Sequence, residues 1–234
     1  MTAPSSPGIE MIDVRAGFGA IEVLHGVSLS FPAGAIVALL GRNGSGKSTV
    51  LGALAGIVPV RSGAIRWRDR DITRLTTYER AAAGLTLVPE QHNVFGAMTV
   101  EENLQVFAAG ASLDAAYQTF PELERLGQHR AATLSGGERQ MLAVCRAVLR
   151  PSGVILLDEV SSGLSPGVTS RLSDVIASLR GPDRVVVVVE QYLQDVMRLA
   201  DFAYVLRRGE VSFAGETFEL SGVLSAVSDG SAAG

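Results

Sequence analysis

Two rhythms of apolar and polar positions alternate along the chain. The runs AIVALL, LTLVP, VILLDE and VVVVVE are strand-length and almost continuously apolar, which predicts strands covered on both faces. Between them lie segments whose apolar residues recur every three or four positions. These predict helices: STVLGALAGI with Gly56 as its end, MTVEENLQVF, the run MLAVCRAVL that follows LSGGERQ, and residues 168–179. Thr99 and Glu102 have capping-box spacing and mark a helix start.

Near the N-terminus, IEMIDVRAGFG and VLHGVSLSF read as short strands with a loop between them, and PAG is a turn. SGAIRWRDRDIT predicts a hairpin and YERAAAG a helix. Residues 110–133 form a patchy helical stretch broken by Pro121 and Gly127, and a small helical subdomain is expected over about 92–134. After VVVVVE come a helix ending near Leu199, the strand FAYVL, the turn RRGE and the strand VSFAG. Strands alternating with helices predict an α/β fold, a mainly parallel sheet with helices on both faces. Residues 1–8 are expected to be flexible, 9–222 to form a single domain and 223–234 a loose tail; no internal repeat is visible.

Composition narrows the function classes. The chain has 234 residues, 47% apolar and 19% charged, enough for one large globular core. The formal net charge of -4, without a dense run of Lys and Arg, lacks the electrostatic footprint of a duplex-binding protein, so no nucleic-acid partner is expected. A single cysteine, Cys145, excludes an internal disulfide and a cysteine-built metal site, and it falls on the apolar face of its helix. His25, His92 and His129 are scattered and suggest no metal constellation. The N-terminus does not read as an export signal, and no apolar run reaches the length that crosses a bilayer. A mean hydropathy of +0.28 leaves room for an apolar docking face.

The chemistry is concentrated in three motifs. GRNGSGKS, residues 41–48, follows a strand, opens a helix and fits G-x-x-x-x-G-K-[ST], the phosphate-binding P-loop. Its backbone N–H groups cradle phosphates: Gly41, Arg42, Asn43, Gly44, Ser45, Gly46 and Thr49 are the binding candidates, with Lys47 reaching the β and γ oxygens and Ser48 ligating Mg²⁺. VILLDE ends its strand with Asp158, a metal-holding carboxylate, and Glu159, a general base for the attacking water. LSGGERQ sets Ser135, Gly136 and Gly137 before a helix, a second anion-binding start in the same chain.

In this order the three motifs resemble the ATP-binding cassette (ABC) ATPase family, whose signature helix begins LSGGQ; Glu138 stands at the glutamine position. The resemblance covers about residues 9–215. It implies a P-loop core joined by an antiparallel β subdomain and a short α-helical one, with ATP and Mg²⁺ as cofactors. It also implies a dimer in which Ser135, Gly136, Gly137 and Glu138 of one subunit grip the ATP held by the P-loop of the other. Phe18 matches the adenine-stacking aromatic, and SSGLSP the D-loop, with Val160 where a proline is usual. Glu90 occupies the position of a metal-contacting glutamine and Gln91 follows it, so either reaches the metal. Gln191 stands at the switch histidine, as a second catalytic candidate beside Glu159. A glutamine amide can donate to a γ-phosphate but carries no proton near neutral pH.

The phrases VEQ, VPE, MTVEENL and SGL-x-P look like the LivF-type ATPases of branched-chain amino acid importers and their urea and amide relatives. That resemblance implies an ATPase on the inner face of the cell membrane, working with permease subunits, a second identical or non-identical ATPase and, indirectly, a solute-binding protein. The alternatives are the ATPase of an exporter and a non-transport ABC ATPase such as an iron–sulfur assembly factor. A regulatory sensor with a dead site is disfavoured by the presence of Lys47, Asp158 and Glu159.

Overall fold

The structure, a computed structural model, describes residues 8–91, 93–190 and 198–220. Gln191, His92, most of the helix expected before Leu199 and both expected loose ends lie outside the described residues.

The first two strands, β1 (Ile9–Phe18) and β2 (Ile21–Phe31), lie on the expected segments, β2 starting two residues earlier than the sequence suggests, and are joined by the tight turn Gly19–Ala20. Then follow β3 (Ile36–Leu40), α1 (Lys47–Ala55), the hairpin strands β4 (Val60–Trp67) and β5 (Arg70–Asp71), α2 (Thr77–Ala82) and β6 (Leu85–Val88). A helical stretch holds α3 (Val100–Ala108), α4 (Asp114–Thr119), α5 (Pro121–Arg125) and a 3₁₀ turn at Ala131–Thr133. The last third is α6 (Gly136–Leu149), β7 (Val154–Asp158), α7 (Pro166–Ser178), β8 (Val185–Glu190), β9 (Phe202–Arg207) and β10 (Glu210–Glu216).

Two sheets result. One is four-stranded and antiparallel, in the order β2-β1-β4-β5; the other is six-stranded, in the order β10-β9-β3-β8-β7-β6, parallel except for β10. Because successive strand side chains point to opposite faces, each central strand feeds two cores. Ile36, Ala38 and Leu40 pack with Ile155, Leu157 and α6, whereas Val37 and Leu39 pack with Leu156, α1 and the antiparallel sheet. This double burial is the reason β3, β7 and β8 read as unbroken apolar runs.

Helix ends show the local chemistry. Gly56 closes α1 in the left-handed conformation, as expected. Thr99 and Glu102 form their reciprocal box, and so do Thr76 with Glu79 and Ser135 with Glu138. Two boundaries differ from the sequence expectation, both at proline. Pro121 opens α5 and Pro166 opens α7, because a missing N–H costs nothing in a first turn. Arg80, 2% exposed, ties α2 to α1: its guanidinium donates to the carbonyls of Ala53 and Leu54 at 2.6 and 2.7 Å, and to Thr73 and Leu75.

Candidate nucleotide-binding site

The carboxyl ends of β3, β7, β8 and β6 come together, the edge at which open α/β sheets bind ligands. Residues 41–46 form the loop leaving β3. At Gly41, with φ 153°, a Cβ would lie 2.5 Å from both the Leu206 carbonyl oxygen and Ser45 Oγ, so no larger residue fits. The turn between β9 and β10 clasps the loop from outside, Gly209 N donating to Ser45 O at 2.9 Å. No described side chain caps α1 at Gly46, whose φ of 108° also demands glycine. The first N–H groups of α1 therefore face the loop and suit an anion. Lys47 is buried, its ammonium donating to Gly41 O at 2.9 Å and lying 3.2 Å from Glu159 Oε1.

Asp158, the last residue of β7, is buried and accepts from Ser48 Oγ at 3.3 Å. Burial pushes its carboxyl up to about 6; the charges of Glu159 and Glu90 push the same way, against the Ser48 bond and Lys47. A carboxylate made costly by burial and like charge, paired with a hydroxyl, is a hard-oxygen set that fits Mg²⁺. No group of three or more His, Cys, Asp or Glu among the described residues could hold a metal alone.

Glu159 lies one residue past β7, in the left-handed region at φ 45°, its N–H donating to Val189 O at 2.9 Å. This turn swings the carboxylate back toward Lys47 and leaves Val160 buried as its anchor. Ser161 then donates to Glu190 Oε1 at 2.8 Å, tying the D-loop segment to the end of β8. In the sequence Glu190 reads only as part of the phrase VEQ at the end of an apolar strand, and its contact with Ser161 comes from the fold.

Lys47, Ser48, Asn43, Val23, Glu90 and Glu159 are among the residues around a cavity of about 270 Å³. Of the two candidates after β6, Glu90 faces this cavity; Gln91 is exposed and borders a neighbouring one with Gly136, Gln140 and Gly163. Among the described residues none of 135–138 lines the P-loop cavity. Ser135 caps α6, its hydroxyl donating to Glu138 Oε2 at 2.7 Å, and this bond leads the interactions that hold the Glu138 carboxyl below the usual range. Phe18 is 57% exposed at the tip of the β1–β2 hairpin, which rules out a packing role in the core. Cys145 is buried, and burial drives its thiol pKa well up, as expected for a packing residue.

The sequence profile of the family described as ABC transporter matches residues 24–162. The chain belongs to the ABC transporter family. It is 37% identical over 220 residues to the probable branched-chain amino acid transport ATP-binding protein LivF of Archaeoglobus fulgidus, covering 91% of this chain and 93% of that one. It is 38% identical over 205 residues to the high-affinity branched-chain amino acid transport ATP-binding protein BraG of Pseudomonas aeruginosa, covering 85% and 88%. Among solved structures, it is similar to an ATP-binding cassette of an ABC transporter in its ADP conformation, with a TM-score of 0.80 and 25% identity over 93% of this chain and 94% of that one. A bacterial Atm1-family ABC exporter with ATP bound gives 0.82 and 25%, covering 94% of this chain and 40% of the other. This ABC chain is the ATP-binding, ATP-hydrolysing subunit of a transporter. None of its described helices is long and apolar enough to cross a membrane.

Proposed function

We propose that the chain powers uptake of branched-chain amino acids or related small amides, as a peripheral subunit on the inner face of the cell membrane. The observation that carries this reading is the near full-length similarity to two branched-chain amino acid transport ATP-binding proteins. The reading takes residues 9–222 as one ATPase domain with its helical part at about 92–134.

In this reading residues 41–49 hold the triphosphate and Phe18 the adenine. Ser48 and Asp158 hold Mg²⁺, with Glu90 beside them, and the ion supplies neutralisation of phosphate charge. Glu159 accepts the proton of the attacking water, and Gln191 contacts the γ-phosphate. The placement of Ser135, Gly136, Gly137 and Glu138 away from their own P-loop cavity supports a composite site completed by a second ATPase subunit. Ile57, Phe95 and Val106, each about half exposed, border a groove of about 350 Å³ between α2, β6 and α3. An apolar groove of this kind suits a helical segment of the permease.

The test is uptake of labelled leucine, isoleucine, valine and urea by cells carrying the chain with its permease and binding protein. Import abolished by Lys47→Ala supports the reading. Efflux instead of uptake would favour the exporter alternative, to which the Atm1-family likeness points.

A further inference from the structure

The adenine-stacking candidate sits on an unusually extended support. Pairing between β1 and β4 ends at Ala16 opposite Val60, so Gly17 and Phe18 continue as a two-stranded hairpin with β2. Phe18 pairs with Ile21, which is 69% exposed, and two residues further along β2 Val23, the extra residue of a bulge between the Gly17 and Ala16 pairs, borders the P-loop cavity. The hairpin tip is thus joined through β2 to the phosphate site. A lone two-stranded tip is marginally stable in water.

One side chain reaches the tip from β4. Arg15 pairs with Ser62 and Ala16 with Val60, so Arg61 is the extra residue of a β-bulge. Bulges re-aim side chains, and here the Arg61 guanidinium is turned along the hairpin. Its Nη2 donates to Gly19 O and to Ile21 O, both at 2.8 Å, gripping the turn on either side of Ala20. At Gly17 a Cβ would fall 2.1 Å from Ile21 O, so the two strands cross there as closely as a glycine allows.

We propose that Arg61 is a positioning residue for base recognition: its two bonds hold the Phe18–Ile21 edge in the binding geometry before the nucleotide arrives. Without them the base must order the hairpin as it binds, which weakens the complex without touching the phosphate grip. The inference rests on the reading of Phe18 as the adenine stacker.

The test is calorimetric titration of the full chain with ATP and with inorganic tripolyphosphate, which has no base. Stacking on one aromatic is worth roughly 5- to 150-fold by side-chain truncation, so Phe18→Ala should weaken ATP within that range. Arg61→Met, which keeps the aliphatic stem, should weaken ATP about tenfold. Tripolyphosphate should bind all variants alike. Arg61→Lys should recover only part of the loss, since a point charge on a flexible stem replaces a planar fork. Phe18→Ala with Arg61→Met should lose no more than Phe18→Ala alone.

Three results overturn the inference while leaving the stacking reading intact: ATP affinity unchanged in Arg61→Met although Phe18→Ala loses it, equal loss for both ligands, or fully additive losses. Unchanged ATP affinity in Phe18→Ala would bring down the stacking reading itself and this inference with it.

Discussion

Replacing Glu159 by glutamine should move ATP binding and ATP turnover in opposite directions. The Lys47 ammonium is 3.2 Å from Glu159 Oε1, and the two side chains are only 4% and 12% exposed. At that separation the gross Coulomb attraction is about 5 kcal/mol for an effective dielectric near 20. Desolvation of the pair cancels most of it, leaving a net of about 1–2 kcal/mol. A triphosphate must displace this carboxylate from Lys47 and tolerate its charge nearby. Glu159→Gln removes both obstacles, so ATP affinity should rise about 5- to 30-fold. Turnover should fall about 10²- to 10⁴-fold, the usual contribution of a general base. A dimer closed on ATP, as the proposed composite site requires, should persist longer as a result. Calorimetric titration in EDTA reads the first effect, phosphate release by the assembled transporter the second, and sedimentation with ATP the third. A fall in affinity alongside turnover would refute the competition for Lys47, and unchanged turnover would refute the role as base.

Other perturbations test the scaffold. Arg80→Met should cost at least about 3 kcal/mol in urea unfolding, because it leaves four carbonyls around the α1 terminus without their buried donor, and Arg80→Lys should not restore it. Glu122, on α5, is bonded bidentately by Arg171 of α7, and this holds its carboxyl down to about 2 from an ordinary 4.5. A depressed carboxylate stabilises the fold above pH 4.5 and loses that effect as pH falls through about 2. With side chains 37% and 31% exposed, screening reduces the gain to under ~1 kcal/mol. The stability gap between the wild type and Glu122→Gln should therefore be small at pH 7 and narrow further by pH 3, as read by denaturant midpoints. Gly41→Ala should abolish ATP binding in a filter or calorimetric assay, since its Cβ would strike Leu206 O and Ser45 Oγ at 2.5 Å.

What the sequence shows of this site is what residue type and short spacing can carry. The P-loop is legible because strand, glycines, lysine and helix are contiguous, and Asp158 because it ends an apolar run. The capping boxes at Thr76 and Ser135 are as plain in the sequence as the one at Thr99. The left-handed turn at Glu159 is not legible, since a glutamate ordinarily avoids positive φ and only the surrounding strands enforce it. The sheet order is hidden for a different reason. Alternation implies parallel strands, yet it does not say that β8, late in the chain, lies between β3 and β7. Arg61 is hidden for a third, because its bulge exists only in the register between β1 and β4. Which of Glu90 and Gln91 borders the P-loop cavity is likewise absent from the sequence, because it depends on the path of the chain beyond β6, which brings Glu90 to that cavity.

Taken together, the ion pairs and caps set several candidate site donors against the chain's own carboxylates. Lys47 is matched to Glu159, Ser48 to Asp158, and the Ser135 hydroxyl to Glu138. Of these donors only Lys47 is buried, and a buried ammonium left unmatched would cost several kcal/mol, so its pairing with Glu159 supports the fold, whereas the exposed hydroxyls of Ser48 and Ser135 can also be served by water. It also sets a threshold. A ligand with a single negative charge gains little by exchanging with a carboxylate already in place, whereas a triphosphate brings several charges to the same donors. If the two grips close on one nucleotide from two subunits, both carboxylates must be displaced for closure. Those pairings would thereby make closure depend on the γ-phosphate.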